Sequence, residues 1–412
     1  MRTGEPDLLV TGATGFVGTA VLRELVARGE GARVRVLARR PVPGWMTDAG
    51  VTTWRGDVTD AAGLVGLCTG ITTLVHLASQ VGGDAALCTA VNEDGTAKLL
   101  AEARRAGTAD VLYLSTCAVY RDGVHRGSPV PGGPGAGSGP GTDPAASAGR
   151  GRRGGESGPG SPAGRGGFGS TPGMDPGASG GPGTAPAAQL GSPAGHGELG
   201  GDSGPVPQIG RASRTGHDHP AGGSALVTGP VSATSRSRLA GERLVLAAGG
   251  VVLRPHLIHG DGDRHVVPAL ARWISAVPAW AAGGAARTSL VAVADLAAAI
   301  AVLALNPGTG GAGEVFHVAD PDPVRLRGLI TAVCALLDLP VPVADLTLTE
   351  HRARTRAALP ALTDHQYSLL TRDHWYESTR IWELTGVSPG PGFGPRLAEA
   401  AEWYRGSLGA AR

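Results

Sequence analysis

Lysine is almost missing from this chain of 412 residues: Lys98 is the sole one among 36 basic side chains. Chemistry that needs an ammonium group away from position 98 is thereby excluded. Cysteine is scarce as well. Cys68, Cys88, Cys117 and Cys334 contain no Cys-x-x-Cys pair, which excludes a disulfide scaffold and points to reduced thiols in a cytoplasmic protein. Excess charge is absent too. The net charge is +1, which gives no bulk electrostatic reason to expect nucleic acid or an anionic membrane as partner. Long apolar runs are missing: the longest, around residues 296–305, falls far short of the ~20 residues of a membrane span. The opening MRTGEPDLLVTG has no basic segment ahead of an apolar core, so no signal peptide is expected. The expectation is a soluble protein.

Glycine and proline are plentiful but unevenly spread. Residues 121–220 hold 31 of the 68 glycines and 15 of the 31 prolines, with isolated apolar residues that never become periodic. Such a segment cannot bury enough apolar surface to offset the entropy of ordering it, so residues 121–225 read as a disordered insertion. Arg150, Arg152 and Arg153 lie in it without an aromatic platform and read as solvated. His217-Asp218-His219 lacks further ligands, so no metal site is expected.

Outside the insertion, strand-like and helical patterns alternate. Apolar runs at 7–11, 34–37, 51–54, 72–77, 110–114, 251–253 and 314–318 read as strands. Helical spacing marks 16–28, 84–106, 235–248, 295–305 and 324–337. This alternation predicts an α/β fold with a doubly wound parallel sheet covered on both faces.

Between the first strand and the first helix stands Thr11-Gly12-Ala13-Thr14-Gly15-Phe16-Val17-Gly18. Glycines spaced in this way, in a strand–turn–helix setting, are what a pyrophosphate cradle requires. Gly12 permits the tight turn, Gly15 lets backbone approach the phosphates, and Gly18 lets helix and strand pack closely. The helix N-terminus adds free N–H groups and partial positive charge. The chain is therefore expected to bind a nicotinamide dinucleotide. The next strand separates the two forms. It runs VRVLARR and lacks the acid that receives a ribose 2′-hydroxyl, while Arg39 and Arg40 suit a 2′-phosphate. NADP(H) is preferred, with NAD(H) as the alternative.

With these residues in view, the chain resembles the extended short-chain dehydrogenase/reductase family, the NAD-dependent epimerase/dehydratases. Further segments agree with it in order. Gly56-Asp57-Val58-Thr59-Asp60 resembles the stretch whose Asp contacts adenine, and Val75-His76-Leu77-Ala78-Ser79 the strand end beside the cofactor. Asn92 falls on the residue that orders the active site, and Thr116 in LSTCAVY on the catalytic Ser/Thr. Leu253-Arg254-Pro255 and Val293-Ala294-Asp295 match later family segments. The resemblance implies cofactor contacts from Gly12, Thr14, Gly15, Phe16, Val17, Gly18, Asp57, Val58, Leu77, Ala78 and Pro255. It implies a Rossmann-type core over 1–120, 226–255 and 288–319, with a smaller substrate lobe over 256–287 and 320–412. The five tryptophans from Trp273 to Trp403 are expected to build that lobe. It also implies a homodimer through the helix beginning at Thr234.

One part of the family pattern is replaced. The family uses a Tyr that exchanges a proton with substrate and, four residues on, a Lys that lowers the Tyr pKa and holds the nicotinamide ribose. Here TSRSRLAGE places Thr234 at the Tyr and Arg238 at the Lys. Arg238 keeps a positive charge for the ribose, but an aliphatic hydroxyl cannot act as the usual acid near neutral pH. The replacement donors in view are Thr116, Tyr120, His256 and His259. Two readings stay open: an NAD(P)-dependent oxidoreductase or epimerase/dehydratase-like enzyme on a small carbonyl, hydroxyl or sugar-like substrate, or a catalytically degenerate dinucleotide sensor.

Overall fold

The computed structural model describes residues 5–128, 130 and 226–409. Most of the expected insertion and the His217-Asp218-His219 fragment lie outside the described residues.

The first half of the fold runs β1 (Leu8–Thr11), α1 (Phe16–Ala27), β2 (Val34–Ala38), α2 (Gly44–Asp48), β3 (Thr52–Arg55), β4 (Thr73–His76), α3 (Ala85–Thr89), α4 (Gly95–Ala106) and β5 (Asp110–Leu114). All residues of β1 and β4 are buried, as strands covered on both faces require. α1 buries Val17, Val21, Leu22 and Leu25, the i, i+4 stripe seen in the sequence. The stretch read as one helix over 84–106 is helical throughout, with a π-helical turn at Ala90–Asp94 between α3 and α4. Gly107, at φ +75°, ends it.

The order continues with β6 (His125–Ser128), α5 (Ala233–Ala247), β7 (Val251–Pro255), β8 (Leu257–His259), α6 (Val266–Ala276), β9 (Ala279–Ala281), β10 (Arg287–Thr288), β11 (Leu290–Ala292), α7 (Val293–Leu305) and β12 (Val315–Val318). Last come β13 (Val324–Arg325), α8 (Leu326–Leu337), β14 (Ala344–Leu346), α9 (Leu348–Ala358), α10 (Asp364–Thr371), β15 (His374–Tyr376), α11 (Thr379–Thr385), α12 (Phe393–Glu399) and α13 (Ala401–Gly409).

The main sheet has seven parallel strands in the order β12-β7-β5-β4-β1-β2-β3. The chain winds outward from β1 to β3, then returns to the other side of β1 at β4. This reversal leaves a crevice at the carboxyl ends of β1 and β4, the place where doubly wound sheets take their ligands.

A second core forms from the C-terminal elements, where Trp273, Trp280, Leu329, Ile330, Tyr367, Phe393 and Tyr404 are buried together. The tryptophans divide between cores. Trp382 packs with Ile381 in the main-sheet core and donates from Nε1 to Ala319 O at 2.8 Å. Trp375 covers Gly127, where a Cβ would lie 2.6 Å from its ring. That contact shows the start of the glycine-rich segment built into structure: β6 adds to β15 in a four-stranded sheet of order β13-β10-β15-β6. Backbone pairing and polar contacts such as His125 with Tyr376 and Arg126 with Asp373 carry β6, so no apolar period announced it.

Candidate dinucleotide and active site

At the crevice lies a cleft of about 360 Å³ whose lining includes Gly12, Thr14, Gly15, Arg39, Asp57, Leu77, Ala78 and Ser79. Gly12 has φ +71°, and a Cβ there would sit 2.6 Å from Ala78 N. A Cβ on Gly18 would sit 2.1 Å from Gly12 O. Both glycines are thus fixed by the protein's own backbone. Gly15 differs. Its N–H donates to Gly12 O at 3.0 Å, and an added Cβ would meet that oxygen only at 3.2 Å. The protein nearly tolerates a side chain at Gly15; what a side chain would obstruct is the exposed face of the turn.

No side chain caps α1. The first-turn N–H groups of Phe16, Val17 and Gly18 therefore have no acceptor within the helix. Val17 contributes only backbone here, because its side chain is buried in the core, and Phe16 packs on Gly262. Ser79 Oγ is buried without a partner in the cleft wall. An uncapped helix end, a turn stripped of side chains and an unpartnered hydroxyl fit a pyrophosphate-linked dinucleotide.

The two arginines after β2 are placed differently. Arg39 lines the cleft, with its side chain 77% exposed and Nη1 3.7 Å from Asp57 Oδ2. Arg40 is exposed and is not part of that lining. Asp57 Oδ1 accepts from Thr59 N and Thr59 Oγ1, both at 2.9 Å, which holds the turn beside buried Val58. Lys98 donates to Thr59 O at 2.8 Å and so braces the same turn.

His76 is a structural element of this wall. Burial lowers its pKa to about 3, so it is neutral. The hydrogen bonds fix its tautomer. Ala78 N donates to Thr11 Oγ1 (3.2 Å), whose proton goes to His76 Nδ1 (2.7 Å). Nε2–H in turn donates to Thr96 Oγ1 (2.9 Å), which donates to Asn92 O (2.8 Å). Asn92, on the π-turn, accepts from Gln80 N at 2.7 Å and donates to Gln80 O and Ser237 Oγ, each at 3.0 Å.

Thr116 follows β5, half-buried, and its Oγ1 accepts from Ala118 N at 3.1 Å. Its hydroxyl proton stays free to donate. Beneath it Cys117 is sealed, and burial pushes its thiol far up, which makes it inert. Arg254 and Glu242 form a buried ion pair. Arg254 Nη1 donates to Tyr120 Oη at 2.6 Å, so the Tyr120 proton points to His317 Nε2, also at 2.6 Å. Tyr120 is 1% exposed, with both roles of its hydroxyl filled. That removes it as proton donor. His259 is likewise 1% exposed, and burial lowers its pKa to about 4. Pro255 closes β7 and is buried outside the cleft lining.

Thr234 and Arg238, the positions expected to stand for a Tyr and a Lys, both sit on α5, but not together at Thr116. Thr234 Oγ1 accepts from Gly82 N at 3.0 Å. Arg238 Nη2 donates to Ser115 O at 3.1 Å and also to Leu114 O. The partners Gly82 and Ser237 were not legible in sequence, because each joins residues about 150 positions apart.

Residues 8–140 match the NAD dependent epimerase/dehydratase family. Over 112 residues the chain is 38% identical to sterol demethylase protein B of Methylococcus capsulatus, covering 26% of this chain and 34% of that protein. Over 155 residues the chain is 31% identical to 2-alkyl-3-oxoalkanoate reductase of Stenotrophomonas maltophilia, covering 33% of this chain and 47% of that protein. The chain thus matches between about a third and a half of these relatives' length. The whole fold is similar to MoeE5 in complex with UDP-glucose and NAD, at TM-score 0.57 and 18% identity over 98% of this chain and 99% of that one. The described residues thus form a Rossmann-type α/β fold similar to that structure. Among the described residues no helix is long and apolar enough to cross a membrane, and no cluster of His, Cys, Asp and Glu is arranged to hold a metal.

Proposed function

We propose that this protein is an NADP(H)-preferring oxidoreductase or epimerase/dehydratase-like enzyme acting on a small carbonyl, hydroxyl or sugar-like substrate in the cytoplasm. The observation that carries this reading is the pairing of an open phosphate cradle at Gly12–Gly15 with a free-to-donate Thr116 hydroxyl two strands away in the sheet. Gly12, Thr14, Gly15 and the α1 amides would hold the pyrophosphate, Asp57 and Val58 the adenosine end, and Arg39 a 2′-phosphate. When bound, the nicotinamide supplies or accepts a hydride.

Thr116 polarises the substrate oxygen by donating its hydroxyl proton, in an environment made positive by Arg238. Tyr120 and His259 are sealed and burial holds His256 well below the usual imidazole range, so the transferred proton comes from water, while Thr116 only hydrogen-bonds the substrate oxygen. The names of the relatives bring two substrate classes into view, a 3-oxoalkanoate carbonyl and a nucleotide sugar.

The test is NADPH oxidation, followed at the nicotinamide absorbance, against a panel holding both classes. Thr116→Ala is expected to lower turnover about 100-fold or more. An unchanged rate in that variant would show that the reacting centre lies elsewhere. A second reading, dinucleotide binding without turnover, is favoured by one observation: the Thr234 hydroxyl is engaged by Gly82 N. Turnover by the unmodified protein excludes it.

A further inference from the structure

The two α5 positions that would carry the Tyr and Lys of the family are held by backbone groups of the cleft rim. Thr234, Ser237, Arg238 and Gly241 fall at i, i+3, i+4 and i+7, on one helix face. Together they meet three rim elements. Thr234 Oγ1 takes the Gly82 N–H at 3.0 Å, Ser237 Oγ takes Asn92 Nδ2 at 3.0 Å, and Arg238 donates to the carbonyls of Leu114 and Ser115. A Cβ on Gly241 would lie 2.2 Å from Asn92 O, so the helix is pressed against the π-turn.

The rim needs these ties. Residues 81–84 form no helix or strand, and Gly82 and Gly83 both have positive φ, at +73° and +85°. The two glycines give this loop high conformational entropy when free, and a lost tie is not compensated by neighbouring secondary structure. At the other rim, Ser115 lies just past the end of β5, immediately before Thr116. Among the described residues the Arg238 guanidinium has no acidic partner, because the nearby Glu242 is taken by Arg254. Both bonds come from its terminal Nη2, one atom farther along the side chain than a lysine ammonium reaches.

We propose that Thr234 and Arg238 are positioning residues: Thr234 pins the 80–84 loop, and Arg238 pins the end of β5 and with it the Thr116 hydroxyl, in place of a direct contact with the nicotinamide ribose. This extends the functional reading above, on which the importance of Thr116 rests. It also gives a reason for arginine at 238.

The test combines amide hydrogen exchange with NADPH titration on the full chain. Thr234→Val is expected to speed exchange across 80–84 about tenfold and leave 114–120 unchanged; Arg238→Met is expected to do the reverse. Both variants should still bind NADPH within about threefold of the parent, but with the emission of the bound nicotinamide moved toward that of free NADPH, because its surroundings have loosened. Should either variant fail to fold, Thr234→Ser, which keeps the hydroxyl, is expected to retain parental exchange, and Arg238→Lys to speed exchange at 114–120. Unchanged exchange at both segments overturns the proposal, as does an NADPH affinity that drops more than about tenfold in Arg238→Met while exchange stays at the parental rate. If the parent itself binds no dinucleotide, the functional reading fails, and the exchange data still decide the brace.

Discussion

Arg254 and Glu242 lie against each other with their side chains 6% and 1% exposed, below the strand ends that carry Thr116. Arg254 Nε donates to Glu242 Oε2 at 3.0 Å, and the guanidinium lies over the Tyr120 ring at 4.9 Å. The pair links α5 to β7, and through Tyr120 and His317 to β12.

Removing one member strands the other charge in the interior, which costs about 3–5 kcal/mol. Glu242→Ala should lower the unfolding free energy by that amount in denaturant titrations. The pair of substitutions Glu242→Leu and Arg254→Met should lose less than Glu242→Ala alone. A double variant as unstable as the sum of its singles would show that the two charges do not interact.

Four buried histidines set a pH dependence. Burial lowers His76 and His317 to about 3, and His259 and His374 to about 4. In the unfolded chain each titrates near 6.5. Below that value the unfolded state binds protons the folded state refuses, so stability rises with pH through this window. The contribution is complete above pH ~6.5 and is lost progressively as pH falls toward 4, at up to about 1.4 kcal/mol per pH unit for each histidine. Denaturation midpoints measured from pH 7 to 5 should fall steadily. A flat profile would mean that these imidazoles are solvated.

Cofactor choice should rest on Arg39 rather than Arg40, since only Arg39 lines the cleft. Arg39→Ala is expected to weaken NADPH binding about tenfold or more and leave NADH within about twofold, the effect of losing charge-assisted bonds to a 2′-phosphate. Arg40→Ala should alter neither. Equal losses for NADPH and NADH in Arg39→Ala would assign that arginine to the shared part of the nucleotide.

The parts of this architecture that were readable in sequence are those whose cause is local. The glycine turn, the buried runs of β1 and β4, and the stripe of α1 depend on neighbours within a few residues. In that turn glycine is sterically compelled by the protein at 12 and 18, while at 15 the reason lies on the open side. What could not be read depends on pairings between distant segments. β6 hides in glycine-rich sequence because backbone bonds to β15 hold it. The π-turn that aims Asn92 leaves the helical period almost unchanged. Trp382 shows no sign in sequence of packing with α1 and α7 rather than with the C-terminal core. The engagement of Thr234 and Arg238 with Gly82, Leu114 and Ser115 is likewise set only by the folded chain.

The central claim is that backbone amides at the β1–α1 turn grip a dinucleotide diphosphate. It is tested most directly by titrating the parent and Gly15→Val with NADPH and following tryptophan emission, with thermal unfolding as a control for folding. The account predicts micromolar binding by the parent, in the range typical of such cofactors, and none detectable at millimolar nucleotide in a Gly15→Val protein that still unfolds cooperatively. Undiminished affinity in that folded variant, or no affinity in the parent, would contradict it.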